Sequence, residues 1–303
     1  MQKMSFISYK QYTEHMSAMI LSGTEAANAW LEELKPKIEE LDPKLVIIQV
    51  GSEAASLSYI KKKLESCQRV GLRHEHRQLP FEISFETLLQ TIEELNNDPD
   101  VTGFIVQLPL PPHLQNHVPL ILRAIDPRKD VDGFTAYNLG KTFLSTHFEH
   151  LAPATPAGII RLLEHYKISV AGKHAVIVGR SNIVGKPLGI MLLNRDATIT
   201  ICHSHTEDIA HLTKQADILV AATGRPKLII GKMVKAGAVV IDVGTTRGED
   251  GRLMGDVDFD EVQKLASAIT PVPGGVGPMT VASLIQNCVR AKEREVKRNV
   301  DNS

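Results

Sequence analysis

Residues 174–187, HAVIVGRSNIVGKP, pass from an apolar strand through a glycine turn into a helix. At such a turn the backbone N–H groups and the helix dipole face a pyrophosphate, as in dinucleotide-binding folds. The spacing is GxSxxxG rather than GxGxxG, so the motif alone is a weak indication. Its position at the start of an alternating series of strands and helices strengthens the prediction. A strand-to-helix turn without a ligand is the alternative interpretation.

Strands and helices alternate outward from this stretch in both directions. Continuous apolar strands separated by helices are typical of parallel sheets that are buried on both faces, which predicts an α/β fold. Glycines and prolines interrupt the alternation at residues 129–156, where we place a domain crossover. The predicted strands are residues 45–50, 72–79, 103–107, 174–178, 197–202, 217–222, 239–243 and 266–269.

Two domains with a cleft between them are therefore expected. Residues 1–150 form an N-terminal α/β substrate domain in this prediction, and residues 151–280 form a C-terminal Rossmann-type dinucleotide domain. The last helix, residues 281–303, is expected to pack back on the first domain. A chain of 303 residues is long enough for two such cores.

Composition excludes several classes of protein. The net charge is −1 and there is no basic stripe, which argues against nucleic acid as a partner. Three cysteines (Cys67, Cys202 and Cys288) lie far apart, which fits a reducing compartment and argues against disulfides and structural zinc. Neither a targeting segment nor a run of 18 apolar residues is found, so we expect a cytoplasmic protein without membrane association. A homodimer is the default expectation, because two-fold symmetric dimers are the commonest oligomers of soluble proteins.

A second informative loop is TPVPGGVGPMT, residues 270–280, which holds three prolines and three glycines between an apolar run and an apolar helix. Proline fixes the backbone and glycine lets another group approach it closely. A plain turn needs two to five such residues. The stretch therefore predicts a rigid loop against which a flat ligand or a phosphate lies.

The end of the strand after the glycine turn indicates the cofactor. NAD-binding folds place an acidic residue there to bind the ribose 2′-hydroxyl, whereas this chain has Cys202-His203-Ser204-His205 and no acid before Glu207. Ser204 and the guanidinium of Arg180 suit a 2′-phosphate, so NADP is predicted. His203 and His205 lack a third metal ligand nearby, so no metal is expected.

Candidate catalytic residues occur in the first half. Tyr59 and Lys63 are four apart on a predicted helix and share one face, although an exposed lysine and a packed tyrosine are the ordinary alternative. Gln107 ends an apolar strand and is followed by a stiff proline loop, where open α/β sheets place their sites. Asp130 and Asp132 lie two residues apart just before Gly133, at a predicted glycine turn. The alternative interpretation of this segment is a capped turn whose charges are solvated.

Taken together, five segments resemble the bifunctional methylenetetrahydrofolate dehydrogenase/methenyltetrahydrofolate cyclohydrolases. In the family's order they are VGSEAASLSYIKKK (50–63), VQLPLPPH (106–113), PRKDVDGF (127–134), GRSNIVGKP (179–187) and TPVPGGVGPMT (270–280). The resemblance implies that Tyr59 stacks on the pterin, that Lys63 is the catalytic lysine with Gln107 as its partner, and that Asp132 anchors the pterin. It implies substrate contacts at Val106, Leu108, Asp130, Pro273, Gly274, Gly275, Val276 and Gly277, and cofactor contacts at Gly179, Arg180, Ser181, Ser204 and Thr245.

The implied chemistry is transfer of a hydride from the methylene group of the folate to NADP, followed by attack of water on the methenyl cation. A lysine beside a cationic substrate should have a lowered pKa and could accept the proton. The chain departs from the family at Ala154, where the family has cysteine, and at Thr245 and Thr246, where it has Ile-Asn. An NADP-dependent dehydrogenase of another small substrate, such as a shikimate-type hydroxy acid, and a nucleotide-sensing module are the alternatives.

Overall fold

The computed structural model describes residues 17–248 and 251–301, which contain two main parallel sheets with helices on both faces. The predicted α/β class is thus confirmed. Most of the N-terminal segment in which we expected no targeting signal lies outside the described residues. The strands are β1 (Met19–Ile20), β2 (Lys44–Val50), β3 (Arg73–Leu79), β4 (Gly103–Val106), β5 (His174–Val178), β6 (Thr198–Cys202), β7 (Ile218–Ala221), β8 (Val239–Asp242), β9 (Thr246–Arg247), β10 (Leu253–Met254) and β11 (Ala268–Ile269).

Ten α-helices connect the strands within the described ranges. Their bounds are α1 (Gly23–Leu41), α2 (Ala54–Val70), α3 (Phe85–Asn97), α4 (Val118–Ala124), α5 (Ala136–Leu144), α6 (Ala154–His165), α7 (Gly185–Leu193), α8 (Ile209–Thr213), α9 (Phe259–Val262) and α10 (Val276–Asp301). Ser84 caps the N-terminus of α3, since its Oγ accepts a hydrogen bond from Thr87 N at 3.1 Å.

The first sheet has the order β3-β2-β4, with all pairs parallel. Its two faces bury different clusters. Leu45 and Ile47 of β2 pack with α1, α2 and α10, whereas Val46 and Ile48 pack towards α3 and α4. This alternation follows from the two-residue period of a strand. It makes β2 an apolar run, as the sequence predicts for a strand that is buried on both faces.

The second sheet has the order β1-β11-β8-β7-β5-β6. Counted within the second domain, the five predicted strands run 2-1-3-4-5, which is the doubly wound order of flavodoxin-like sheets rather than the 3-2-1-4-5-6 order of the Rossmann sheet. The strand order reverses between β5 and β7. Ligands of open α/β sheets bind at that reversal, so the fold places the glycine turn after β5 where a nucleotide would bind.

Two boundaries differ from the sequence prediction. Strand β1 pairs with β11 of the second sheet, with Met19 opposite Ala268, although residues 1–150 were predicted to be one domain. Helix α10 begins at Val276 rather than at residue 281. Pro278 does not prevent this start, because the first turn of a helix needs no backbone N–H donors.

Helix α10 packs against α1 and also against α6, which lies in the second predicted domain. Its buried Asn287 donates hydrogen bonds to the carbonyl oxygens of Val131 (2.9 Å) and Ala152 (2.8 Å). One side chain therefore joins the segment that carries Asp132 to the segment that precedes α6. Within the described residues, no helix has the length and apolar content needed to cross a membrane.

Candidate active site

Helix α2 presents Tyr59 and Lys63 on one face, as the four-residue spacing predicts. Tyr59 is half-buried, and only 5% of Lys63 is exposed. Lys61 and Lys62 are exposed, so they are the solvated members of the lysine run. The fold thus separates one lysine of three from solvent.

Lys63 meets a neutral partner at the end of β4. Its Nζ donates to Gln107 Oε1 at 3.0 Å, while Gln107 Nε2 donates to the carbonyl oxygen of Leu108 at 2.7 Å. Burial lowers the pKa of Lys63, and the charge of nearby Asp132 opposes this shift. No described carboxylate forms an ion pair with the Lys63 amino group, and the acceptor that it contacts is the neutral amide of Gln107.

Asp132 lies in the turn that joins Asp130 to Gly133. Burial raises the pKa of Asp132 to about 6, although the charge of Lys63 acts in the opposite direction. The mutual influence of these two charges places Asp132 near Lys63. Tyr59, Lys63, Gln107 and Asp132, predicted from three separate segments, thus belong to one region of the first domain.

Three residues predicted to bind substrate, Val106, Leu108 and Asp130, have side chains that contact other parts of the protein. Asp130 is buried, and its two oxygens accept hydrogen bonds from the backbone N–H groups of Gly133, Phe134 and Thr135 and from Asn138 Nδ2. This carboxylate therefore builds the turn that carries Asp132. The side chain of Val106 is buried in the core between the first sheet, α3 and α4, so only its backbone atoms remain for a ligand, whereas the side chain of Leu108 is half-buried against that core.

A cleft of about 520 Å³ lies between the two halves of the chain. The loop at residues 270–280 forms one wall, and a Cβ added at Gly277 would lie 3.3 Å from Tyr59 Oη. Lys63, Gln107 and Asp132 do not line it. The lining residues include Thr24, Ala27, Asn28 and Leu31 of α1, Tyr59, Lys62, Ser66 and Arg69 of α2, and residues 242–245 and 271–278.

The proline–glycine loop is held against the start of α1. Thr24 N donates to the carbonyl oxygen of Gly274 at 3.0 Å, and a Cβ at Gly23 would lie 1.7 Å from the carbonyl oxygen of Gly275. Only glycine at residue 23 permits this approach. Pro273, Gly274, Gly275, Val276 and Gly277 all line the cleft, together with Thr245 from the predicted cofactor side.

At the glycine turn, Gly179 has a φ of 130°, and a Cβ there would lie 2.1 Å from the carbonyl oxygen of Ala222. The turn after β5 therefore lies tightly against the end of β7. Ser181 Oγ accepts hydrogen bonds from the backbone N–H groups of Val184 (3.1 Å) and Gly185 (3.3 Å). Its side chain shapes the start of α7, which leaves its backbone for a ligand.

The side chains predicted to hold a 2′-phosphate lie at the ends of β5 and β6. Arg180 and Ser204 are both exposed. Desolvation lowers the pKa of His203, with contributions from the charges of Arg180 and His205, so the guanidinium lies near the end of β6. A phosphate dianion would fit this cationic surface. Across residues 17–248 and 251–301, no group of three His, Cys, Asp or Glu side chains could hold a metal.

The sequence reasoning missed a buried pair of acids, Asp242 and Asp256. Asp242 Oδ1 accepts hydrogen bonds from Gly244 N and Asp256 N, and Asp256 Oδ2 accepts from Thr223 N and Gly224 N. Burial raises the pKa of Asp242 to about 6. These bonds fix the backbone after β7 and β8, next to Thr245. The only signal in the sequence was an acid at the end of an apolar strand.

Comparison with known proteins decides the family. Residues 21–132 match the tetrahydrofolate dehydrogenase/cyclohydrolase catalytic domain, and residues 153–296 match the NAD(P)-binding domain of the same family. The chain belongs to the tetrahydrofolate dehydrogenase/cyclohydrolase family. The resemblance found in the five sequence segments is thereby confirmed.

Members of the tetrahydrofolate dehydrogenase/cyclohydrolase family match the whole architecture. The bifunctional protein FolD of Bordetella avium is 47% identical over 284 residues, 92% of this chain and 99% of that protein. The FolD structure from Campylobacter jejuni is 43% identical with a TM-score of 0.88, covering 92% of this chain and 100% of that one. The Trypanosoma brucei FolD structure, a complex with NADP cofactor and inhibitor, is 36% identical with a TM-score of 0.87, covering 92% and 99%.

Shikimate dehydrogenase from Aquifex aeolicus is similar in fold alone, at 12% identity and a TM-score of 0.51. Its similarity covers 84% of this chain and 97% of that one. The two-domain plan is therefore shared with dehydrogenases of other substrates. Sequence identity, in contrast, associates this chain with the tetrahydrofolate family.

We predict that Asp132→Asn makes the protein more resistant to unfolding by urea at about pH 8. The folded-state pKa of about 6 lies above the ordinary 3.8, so the unfolded chain carries this charge more easily, and ionisation costs stability above about pH 6. The advantage of the variant should shrink as the pH falls from about 6 to 4, because the wild-type carboxyl becomes protonated first in the folded state and, below about pH 4, in the unfolded state as well. Urea titrations followed by circular dichroism measure this, and a loss of stability at about pH 8 would contradict it.

Proposed function

We propose that this chain is a bifunctional enzyme of one-carbon folate metabolism. It oxidises 5,10-methylenetetrahydrofolate to 5,10-methenyltetrahydrofolate with NADP, and it hydrolyses that product to 10-formyltetrahydrofolate. The observation that carries the proposal is a buried lysine, held by a neutral amide, on the same helix face as Tyr59, which lines the cleft between the two halves of the chain. An NADP-coupled assay with methylenetetrahydrofolate, with the methenyl product trapped in acid, tests the dehydrogenase activity.

In this proposal, the folate substrate and the NADP cofactor are bound mainly by different parts of the chain. Residues 1–150 with residues 281–303 bind the folate, although β1 belongs to the second sheet, and residues 151–280 bind NADP. Tyr59 stacks on the pterin, Asp132 anchors its aminopyrimidine edge, and the 273–277 loop contacts the rest of the folate. NADP accepts the hydride when bound, and the protein contributes mainly the relative position of the two carbons.

Cofactor binding is assigned to the carboxyl edge of the second sheet. The backbone of Gly179 and Ser181 faces the pyrophosphate, Arg180 and Ser204 hold the 2′-phosphate, and Thr245 lies at the nicotinamide side of the cleft. Supporting facts are the strand-order reversal at β5, the exposed Arg180 and the lack of an acid before Glu207. The relative from Trypanosoma brucei was solved with NADP.

Hydrolysis needs a proton acceptor, and Lys63 supplies it. Burial favours its neutral form, and the methenyl cation disfavours its charged form further. Gln107 Oε1 accepts one N–H of the amine without adding a negative charge that would restore the ammonium. The lone pair of the amine then takes a proton from the attacking water.

Lys63→Met should lower cyclohydrolase activity by about 10²–10⁴-fold, the usual contribution of general-base catalysis. Dehydrogenase activity should fall less, because hydride transfer requires no base. Both activities are measured on the same folded sample, with Lys61→Met, an exposed lysine of the same helix, as the control. Tyr59→Phe keeps the ring and should be milder. Hydrolysis by Lys63→Met at the wild-type rate would place the base elsewhere.

Arg180→Ala should raise the KM for NADP by about 10- to 100-fold and leave the much weaker use of NAD nearly unchanged. The reason is the loss of a charged hydrogen bond to the 2′-phosphate, which NAD lacks. Lys214→Ala removes an exposed cation of the same domain and serves as the control. An unchanged KM for NADP, or a wild-type preference for NAD, would refute this phosphate assignment.

A homodimer is part of the proposal, together with a cytoplasmic location that the three buried free cysteines support. Phe143, Leu144, Phe148 and Leu193 are 42–65% exposed and form what we term the α5–α7 patch. The two helices are joined there, since Asn194 Nδ2 donates to the carbonyl oxygen of Thr142. Contiguous exposed apolar surface of this kind marks a protein interface.

Light scattering should therefore give twice the mass of one chain for the wild type and a single-chain mass for Leu193→Asp. The added carboxylate would be desolvated in the interface, whereas Leu120→Asp, an exposed site on α4, should leave the dimer intact. A monomeric wild type, or a dimeric Leu193→Asp, would exclude the α5–α7 patch as the interface.

A further inference from the structure

Gln49 is a polar residue of β2 whose neighbours along the strand are apolar. It lies near the carboxyl end of β2 and only 2% of it is exposed. Its Oε1 lies 2.8 Å from Nε2 of His76 on β3, whereas its Nε2 has no hydrogen-bond partner among the described residues. Rotating the amide by 180° exchanges its oxygen and nitrogen atoms, but one of the two still lacks a partner, because His76 supplies only one hydrogen bond. A buried polar atom of this kind indicates a partner that the protein does not supply.

The sheet register places this amide beside the proposed catalytic pair. Ile48 of β2 lies opposite Val106 of β4, and Gln107 N donates to the carbonyl oxygen of Ile48 at 2.8 Å. The next pair in register is Gln49 with Gln107, about 5 Å apart as on any neighbouring strands. Residues in register on parallel strands point to the same face of the sheet.

That face is the one against which α2 packs. Ile47 and Ile105, each two residues before a glutamine, share their core cluster with Ile60 and Cys67 of α2. The Gln49 amide therefore lies on the side from which Lys63 reaches Gln107. No hydrogen bond joins the two amides, because Gln107 Oε1 accepts from Lys63 and Gln107 Nε2 donates to the carbonyl oxygen of Leu108, while Gln49 Nε2 has no partner among the described residues.

We propose that Gln49 is a positioning residue for the hydrolytic step, which it serves through a water molecule shared with Lys63. The inference rests on the proposed role of Lys63 as base. A neutral amine has two N–H donors and one lone pair. Gln107 Oε1 accepts one N–H, and a water that accepts from Gln49 Nε2 also accepts the second.

The lone pair of Lys63 is then the only position of the amine left unbound, and it points towards the substrate. In the step that follows, the oxygen of a second water bonds to the methenyl carbon and the electron pair of the C=N bond returns to nitrogen. The proton of that water goes to the lone pair. Gln49 thus fixes the rotation of the amine without contacting the folate.

The test is Gln49→Leu, assayed for both activities on one sample. Cyclohydrolase kcat should fall about 3- to 10-fold, which corresponds to the loss of one hydrogen bond, with the KM for the methenyl substrate and the dehydrogenase rate within about twofold of wild type. Resistance to urea is measured on the same sample, because the variant also loses the hydrogen bond between Gln49 Oε1 and His76. Gln78→Leu is the matched control, since Gln78 is the exposed register partner of Gln49 on β3.

A double variant distinguishes positioning from an independent effect. If Gln49 acts through Lys63, adding Gln49→Leu to Lys63→Met should cause no further loss of hydrolysis. Multiplicative losses, an equal fall of both activities, or a wild-type rate in Gln49→Leu would each overturn the proposal. Gln49→Met, closer in shape, replaces Gln49→Leu if that variant does not fold. A wild type that oxidises but does not hydrolyse would instead refute the proposed function.

Discussion

The parallel pairing of β1 with β11 is the constraint on which the arrangement of this protein depends. Two residues of each strand lie side by side at one end of the second sheet, and each strand leads into a long helix. Helices α1 and α10 therefore start next to each other, with the carbonyl oxygen of Gly275 against Gly23. Both helices extend from the nucleotide-type sheet into the core of the first domain. The cleft lies where these two helices begin.

The electrostatics of the site follow from that packing. Lys63 and Asp132 are both placed where burial opposes their charged forms, and each partly restores the charge of the other. Gln107 is a neutral ligand for the lysine, so the amine is not fixed as a cation. The folded protein gives up stability to hold these two groups in shifted states, which is typical of catalytic sites.

Three other buried carboxylates, those of Asp130, Asp242 and Asp256, have a structural role. Asp130 builds the turn below Asp132, and Asp242 with Asp256 fixes the backbone after β7 and β8. Each accepts backbone N–H groups, as buried acids must when no cation is available. The motif PRKDVDGF therefore contains one carboxylate that builds the turn, Asp130, and one that lies near Lys63, Asp132, and only the folded structure distinguishes them.

Because periodicity and turn chemistry are local, the sequence is sufficient to predict the α/β class and the bounds of β5, and its five specific segments are sufficient to predict the family. It also singles out Tyr59, Lys63 and Gln107 as candidates, and the fold places Lys63 in contact with Gln107. Tertiary structure alone decided that β1 joins the second sheet, since two residues carry no periodic signal. It also decided that Val106 and Asp130 have no side chain left for a ligand, and that Gln49 lies beside Gln107. Burial and register depend on contacts between segments far apart in the chain, and no local pattern encodes them.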